Sequence, residues 1–179
     1  MKVTETEISG VNIIEPILRD DERGSFIKTF NKDVFEKHNM ESSFEESFFS
    51  ISHKNVIRGM HVQIPPKDGV KLIHVSKGKI IDVVLDIRKK STTYGKYISI
   101  EISDKNRLMI YIPKGCVHGF ISLEDNTCVE YLQSTMYAPE YETGIHINSF
   151  GMNWDVMNPI ISERDQNLPK FTEFETPFT

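Results

Sequence analysis

The sequence predicts an all-β domain, an antiparallel sandwich or barrel built from short strands. Six runs rich in Ile, Val and Tyr carry that reading: Lys71–Ser76, Lys79–Ile87, Lys96–Ile102, Arg107–Ile112, Val117–Leu123 and Thr127–Leu132. Turn residues separate them at Lys77-Gly78, Thr93 to Gly95, Asp104 to Asn106, Pro113 to Gly115 and Glu124 to Asn126. Strands at roughly 8–12-residue spacing with turn signals between them mark an antiparallel architecture. The length of 179 residues fits one domain of roughly 100–200 residues, so residues 1–179 read as a single unit.

Taken in order, Asp33–His38 predicts a short helix with Asn31 as its N-cap. In Lys79–Ile87, Asp82, Val84, Asp86 and the following Arg88 fall on one face, and Val83, Leu85 and Ile87 on the other. Asp86 and Arg88 read as structural. In Lys96–Ile102, Tyr97 and Ile98 are adjacent and Ile100 and Ile102 alternate, which predicts one drier face. Ser162-Glu163-Arg164-Asp165 carries capping chemistry for a second helical turn. No repeat, low-complexity tract or linker interrupts the chain. The tail, Phe171 to Thr179, lacks a pattern and is expected to be loosely held.

Charge and composition exclude several functions. Lys plus Arg is 21 and Asp plus Glu is 26, a net charge of 21 − 26 = −5. Duplex binding leans on a clustered positive footprint, so no nucleic-acid partner is expected. Small anions remain suitable ligands for local basic pockets. Cys116 and Cys128 cannot form a disulfide framework and fit a reducing compartment. The start, Met1-Lys2-Val3-Thr4-Glu5, has no apolar core, and no apolar run approaches the ~20 residues of a membrane span. The expectation is a soluble, cytoplasmic protein without a membrane partner.

Pro113-Lys114-Gly115-Cys116-Val117-His118 is a P-x-G-x-x-H run between two strands. It resembles the second motif of the cupin superfamily, whose fold is a jelly roll, or double-stranded β-helix. Lys71, separated from Gly78 by six residues, stands where the first cupin motif carries a Glu ligand. His61-Val62-Gln63 stands at its His-x-His. The set His61, Gln63, Lys71 and His118 is a poor metal site, because an ammonium repels a cation and an amide oxygen is a weak ligand. A polar pocket without metal is therefore expected. Arg23 and Arg58 beside it suit a diphosphate, which guanidinium groups pair bidentately.

A series of motifs is more specific. Asp21–Gly24, Arg58-Gly59-Met60-His61-Val62-Gln63, Asp86-Ile87-Arg88 with Ser91–Gly95, Ile112 to Phe120, and Ile161–Asp165 follow in order. From about Val11 to Pro169 the chain resembles the dTDP-4-dehydrorhamnose 3,5-epimerase family. That resemblance implies a cofactor-free isomerase acting on a nucleotide-diphospho-4-keto sugar, with short peripheral helices around the jelly roll. It implies His61 as base with Asp165 as its dyad partner, Tyr131 as acid, and Lys71 near the enolate oxygen. His118 would line the sugar site, and Arg23 and Arg58 would contact the diphosphate. Phe26, Lys28, Glu46, Phe48, Gln63, Tyr137, Glu142 and Arg164 would complete the substrate contacts. It also implies a homodimer whose N-terminal segment reaches the neighbour's site.

Departures from the family pattern bear on the substrate. Arg-Gly-x-Phe-x-Glu is here Arg23-Gly24-Ser25-Phe26-Ile27-Lys28, and Gln-x-Asn is Glu46-Ser47-Phe48. Val62 replaces an aromatic, and Asn148-Ser149-Phe150-Gly151 departs from Asn-Asp. These changes alter the donors and acceptors facing a base edge, so a cytidine or guanosine diphosphate carrier is expected at least as readily as thymidine diphosphate. Two other readings stand beside the epimerase: a 4-keto to 3-keto isomerase, and a non-catalytic sugar-binding cupin.

Overall fold

A computed structural model describes residues 1–179. In chain order it contains β1 (Lys2–Glu5), β2 (Asn12–Glu15), β3 (Ile17–Asp21), β4 (Gly24–Lys28), α1 (Lys32–Lys37), β5 (Glu46–Ser52) and β6 (Ile57–Gln63). There follow β7 (Lys71–Lys77), β8 (Lys79–Asp86), β9 (Tyr97–Ser103), β10 (Met109–Ile112), β11 (Cys116–Ser122), β12 (Thr127–Gln133), β13 (Glu142–Gly144) and α2 (Glu163–Gln166). A six-stranded sheet runs β1-β2-β10-β7-β12-β5, and a five-stranded sheet runs β13-β6-β11-β8-β9. Pairing within both is antiparallel. The predicted jelly roll is present, with its two helices at the periphery.

Three apolar layers hold it. Ile73, Val75 and Val129 of the six-stranded sheet meet Ile80, Val84 and Phe120 of the five-stranded sheet in the middle. Val83, Leu85 and Val117 on the outer face of the five-stranded sheet pack under Ile145, Ile147, Trp154 and Phe178 from the C-terminal third. Leu72, Met109 and Tyr111 on the other outer face pack under Phe35 of α1. A sheet covered on both sides needs apolar residues on both faces of its strands. This explains the near-continuous burial of β8.

Asn31 caps α1 as predicted, its side chain accepting from Val34 N at 3.1 Å. Ser162 does the same for α2, accepting from Asp165 N at 3.1 Å. The strand expected from Arg107 begins at Met109 instead. Asn106 Oδ1 accepts from the amides of Ser103 and Leu108, and Arg107 turns through a left-handed φ of 56°, so two residues are spent in the turn. The strands before Lys71 lack a clean alternation and were not expected from the pattern.

The tail is not loose. Phe178 is buried, its carbonyl accepts from Lys89 N at 2.8 Å, and Thr176 Oγ1 donates to the Ile87 carbonyl at 2.6 Å. The expectation failed because the tail's anchors are isolated residues seated on another strand's end. No helix is long and apolar enough to cross a membrane. Cys116 and Cys128 are unpaired.

Asp86 and Arg88 form the structural pair the face pattern suggested. Burial raises the Asp86 pKa, but bonds from Arg88, Ser91 and Thr93 outweigh it and hold the carboxyl at about 2. A depressed carboxylate pKa stabilises the fold above its unfolded value of 3.8, and that contribution disappears as pH falls through the folded value. Urea midpoints are therefore expected to drop between about pH 4 and pH 2. Asp86→Asn should be less stable at neutral pH and show a shallower drop; an unchanged slope would contradict this account.

Candidate active site

A cleft of about 820 Å³ opens between the two sheets. One wall is the inner face of β6 and β11, and the other is the inner face of β7, β12 and β5. Alternation along β6 turns His61 and Gln63 toward the cleft, while Met60 and Val62 pack in the outer layer. Lys71 enters from β7, His118 from β11 and Tyr131 from β12. The loop before α2 and α2 itself close one end with Ile160, Ile161, Ser162, Arg164 and Asp165.

His61 and Asp165 are joined, Nε2 to Oδ1, at 2.7 Å. Asp165 is buried, which raises its pKa, yet His61, the Gly59 amide and Arg164 more than offset this and hold it at about 2. The carboxyl is therefore an anion at neutral pH, able to orient the imidazole and balance an imidazolium. Gly59 N donates to Asp165 Oδ2 at 3.2 Å. Gly59 has φ +125°, and a Cβ there would lie 2.5 Å from the Gly119 Cα of β11, so only glycine lets these strands approach here. Arg164 Nη2 stands 2.7 Å from His61 Nε2, and the guanidinium is tied to Glu142 by an ion pair.

On the opposite wall Tyr131 is buried, and burial together with the nearby Asp82 holds its phenol well above the usual range. Such a phenol keeps its proton until a strong base forms beside it. Lys71 is displaced the other way. Burial lowers its pKa, with Glu142 and Asp82 opposing, so its proton is held less tightly than a surface lysine's. His118 Nε2 meets Asp82 Oδ2 at 2.7 Å inside the wall.

The remaining residues anticipated from sequence divide into two groups. Arg58, Glu46, Phe48, Gln63, Tyr137, Glu142 and Arg164 line the cleft. Arg58 Nε donates to Ser52 Oγ at 3.0 Å, which holds its guanidinium against β5. Glu46 accepts from the Tyr137 amide at 2.8 Å, and Tyr137 Oη donates to Glu142 at 3.0 Å. Gln63 lies in the wall, but its amide is spent internally. Nε2 donates to the Lys67 and Met136 carbonyls, and Oε1 accepts from Ala138 N at 2.7 Å. Phe48 stacks on Tyr131, with ring centroids 4.6 Å apart and planes 12° apart. It thus stands beside the phenol as well as at the position where the family carries Asn.

Arg23, Phe26 and Lys28 are not brought to this cleft. They lie on β3 and β4 and the turn between them, a hairpin outside both main sheets. Arg23 is exposed and paired with its neighbour Asp21. Sequence reasoning also missed partners. Asp82 was placed on the correct face but given no role, although an acidic residue in a run of Ile and Val is a local conflict of the kind that marks functional positions. Ser50, one alternation step from Phe48, lines the cleft with its hydroxyl buried beside the Tyr131 phenol.

The family model for dTDP-4-dehydrorhamnose 3,5-epimerase matches residues 5–173. The dTDP-4-dehydrorhamnose 3,5-epimerase of Methanothermobacter thermautotrophicus is 40% identical over 173 residues, covering 94% of this chain and 93% of that protein. The Bacillus anthracis enzyme of the same name, solved with TDP and PPi bound, superposes with a TM-score of 0.91 at 36% identity, covering 94% and 98%. The Legionella pneumophila 3,5-epimerase, solved with dTDP-4-keto-L-rhamnose, gives 0.92 at 31% identity, covering 97% and 94%.

Proposed function

The chain belongs to the dTDP-4-dehydrorhamnose 3,5-epimerase family, which is a family of isomerases, and we propose that it inverts one or both carbons flanking the C4 ketone of a nucleotide-diphospho-4-keto sugar without a cofactor. The observation that carries this reading is the placement of a carboxylate-braced imidazole and a buried phenol on facing walls of one cleft. Inversion needs a base on one face of the sugar and an acid on the other.

His61 removes the proton next to the ketone, and Asp165 balances the imidazolium that results. Negative charge then develops on the C4 oxygen. Lys71 supplies a proton or positive charge there, in a site with little water to screen it. Tyr131 returns a proton from the opposite side. Arg58 is the diphosphate contact within the subunit. Tyr137, with Glu142 and Arg164, faces the nucleotide end, where an exposed aromatic ring stacks on a base. Glu46 and Phe48 replace an amide pair of the family, so base recognition differs from that pattern. A panel of dTDP-, CDP- and GDP-linked 4-keto sugars identifies the carrier.

The partner in solution is a second copy. Every residue of β4 is exposed, and the hairpin leaves Leu18, Phe26 and Ile27 uncovered. Arg107 supplies its polar contacts to the body, to Ser25 at 2.9 Å and Asp20 at 3.7 Å. A lone two-stranded hairpin is marginal in water. Seated on another subunit, it would bury that apolar face and bring Arg23, Phe26 and Lys28 to the neighbour's cleft. Sedimentation at micromolar concentration is expected to give a dimer, and Phe26→Asp should weaken it; a wild-type monomer would refute the arrangement.

The base and acid are separated by isotope exchange. In deuterated buffer His61→Ala should lose both exchange and inversion, by ~100- to 10,000-fold. Tyr131→Phe should keep exchange with retained configuration while inverting poorly, and Lys71→Met should slow both. Dialysis against a chelator should leave wild-type activity unchanged. Inversion by Tyr131→Phe at the wild-type rate would sink the two-face assignment.

A further inference from the structure

We propose that His118, braced by Asp82, is the proton bridge that resets the base and acid after each inversion; this rests on the reading of His61 as base and Tyr131 as acid. One inversion leaves a proton on His61 and removes one from Tyr131. The next turnover requires the reverse arrangement. The proton must therefore cross from one wall of the cleft to the other.

His118 adjoins both ends of that path. In the antiparallel pairing of β6 with β11, His118 is the residue opposite His61. Side chains so placed have Cβ atoms about 4.5–5.5 Å apart. On its other side the His118 ring meets the Tyr131 ring edge-on, with centroids 6.1 Å apart. Tyr131 is only 8% exposed, so its phenolate has little access to bulk water as a proton source.

Asp82 fits the same role. It is fully buried, it binds His118 Nε2 through Oδ2, and its Oδ1 has no hydrogen-bond partner. A buried carboxylate with an idle oxygen is costly unless a cation stands beside it. Lys71 already lies within its field, and a transient His118 imidazolium brings a second cation into direct contact. With Nε2 engaged by Asp82, Nδ1 is the nitrogen that moves the proton. The His61 imidazolium gives its proton to His118 Nδ1, directly or through one water. The same nitrogen then gives it to the Tyr131 phenolate oxygen. His61 and His118 end neutral, Tyr131 ends as a phenol, and nothing is consumed.

A buried His–Asp pair that only ties β8 to β11 would affect every turnover alike, whereas a bridge affects every turnover but the first. The experiment uses the full chain, a 4-keto nucleotide sugar that the wild type inverts, and the variants His118→Gln and Asp82→Asn. With enzyme in excess, both variants should still complete one inversion per site, at the rate the altered cleft wall allows. With substrate in excess, they should show a burst of one inversion per site and then a steady state slower by about 100-fold, which added imidazole buffer accelerates. The wild type should show neither burst nor buffer response. Asp82→Asn keeps the shape of the buried pair, so the burst remains measurable if His118→Gln folds poorly. First and later turnovers slowed equally, without buffer response, would overturn the bridge, as would a wild-type steady state in both variants. A wild type that neither exchanges nor inverts any sugar of the panel would instead overturn the epimerase reading, and the bridge with it.

Discussion

The register between β6 and β11 sets His61 opposite His118, and every other feature of the cleft is arranged around that pair. Side chains alternate along a strand, so a slip of one residue would send both imidazoles into the outer apolar layer. Gly59 and Gly119 lock the register by letting the two backbones approach where any Cβ would collide. The pairing shifts between His118 and Phe120, directly beside the imidazoles. Each imidazole then takes a carboxylate from a different element, Asp165 from α2 and Asp82 from β8. The two partners are not equivalent. Asp165 is shared among His61, Arg164 and a backbone amide, while Asp82 serves His118 with one oxygen only.

The rest of the fold supplies a dry, rigid frame for those pairs. Layers on both outer faces keep the sheets from flexing toward water. The inner layer thins toward one end, where polar side chains replace Ile and Val and the cleft opens. Displacements of protonation follow from this frame. Tyr131 holds its proton tightly because it is buried beside an anion, and Lys71 holds its proton loosely because burial outweighs the carboxylates around it. Two groups shifted in opposite directions within one cavity are the arrangement expected where protons are moved. Phe48 adds a constraint of its own, since stacking on Tyr131 limits how the phenol can swing.

Much of this was legible in the residues. Strands from Lys71 to Gln133 alternate or run apolar between Gly, Pro, Asn and Asp turns, and their limits were readable to within about two residues. The positions of His61, Lys71 and His118 followed from motif spacing, because spacing along a strand fixes which side chains share a face. What escaped was decided by tertiary contact. The N-terminal strands carry exposed polar residues and owe their state to neighbours far away in sequence. Gln63 resembled a ligand position, but its amide is consumed by the loops it ties. Asp82 showed its face and not its partner, since the imidazole it meets lies 36 residues further on. Arg23, Phe26 and Lys28 belong to a hairpin that stands outside both main sheets, with every residue of β4 exposed.

The carboxylate that braces His61 comes from α2, and α2 follows every strand in the sequence. A ribosome therefore delivers the whole sandwich, with its imidazole, phenol and ammonium, before it delivers Asp165. A nascent chain at that stage carries the residues of the cleft walls and lacks the carboxylate that pairs with His61. That end of the cleft stays open until the last segment wraps across the mouth and Ser162 starts its helical turn. Synthesis order thus places the brace last: a chain stalled before α2 carries the imidazole, phenol and ammonium but neither Asp165 nor the Phe178 that completes the outer apolar layer.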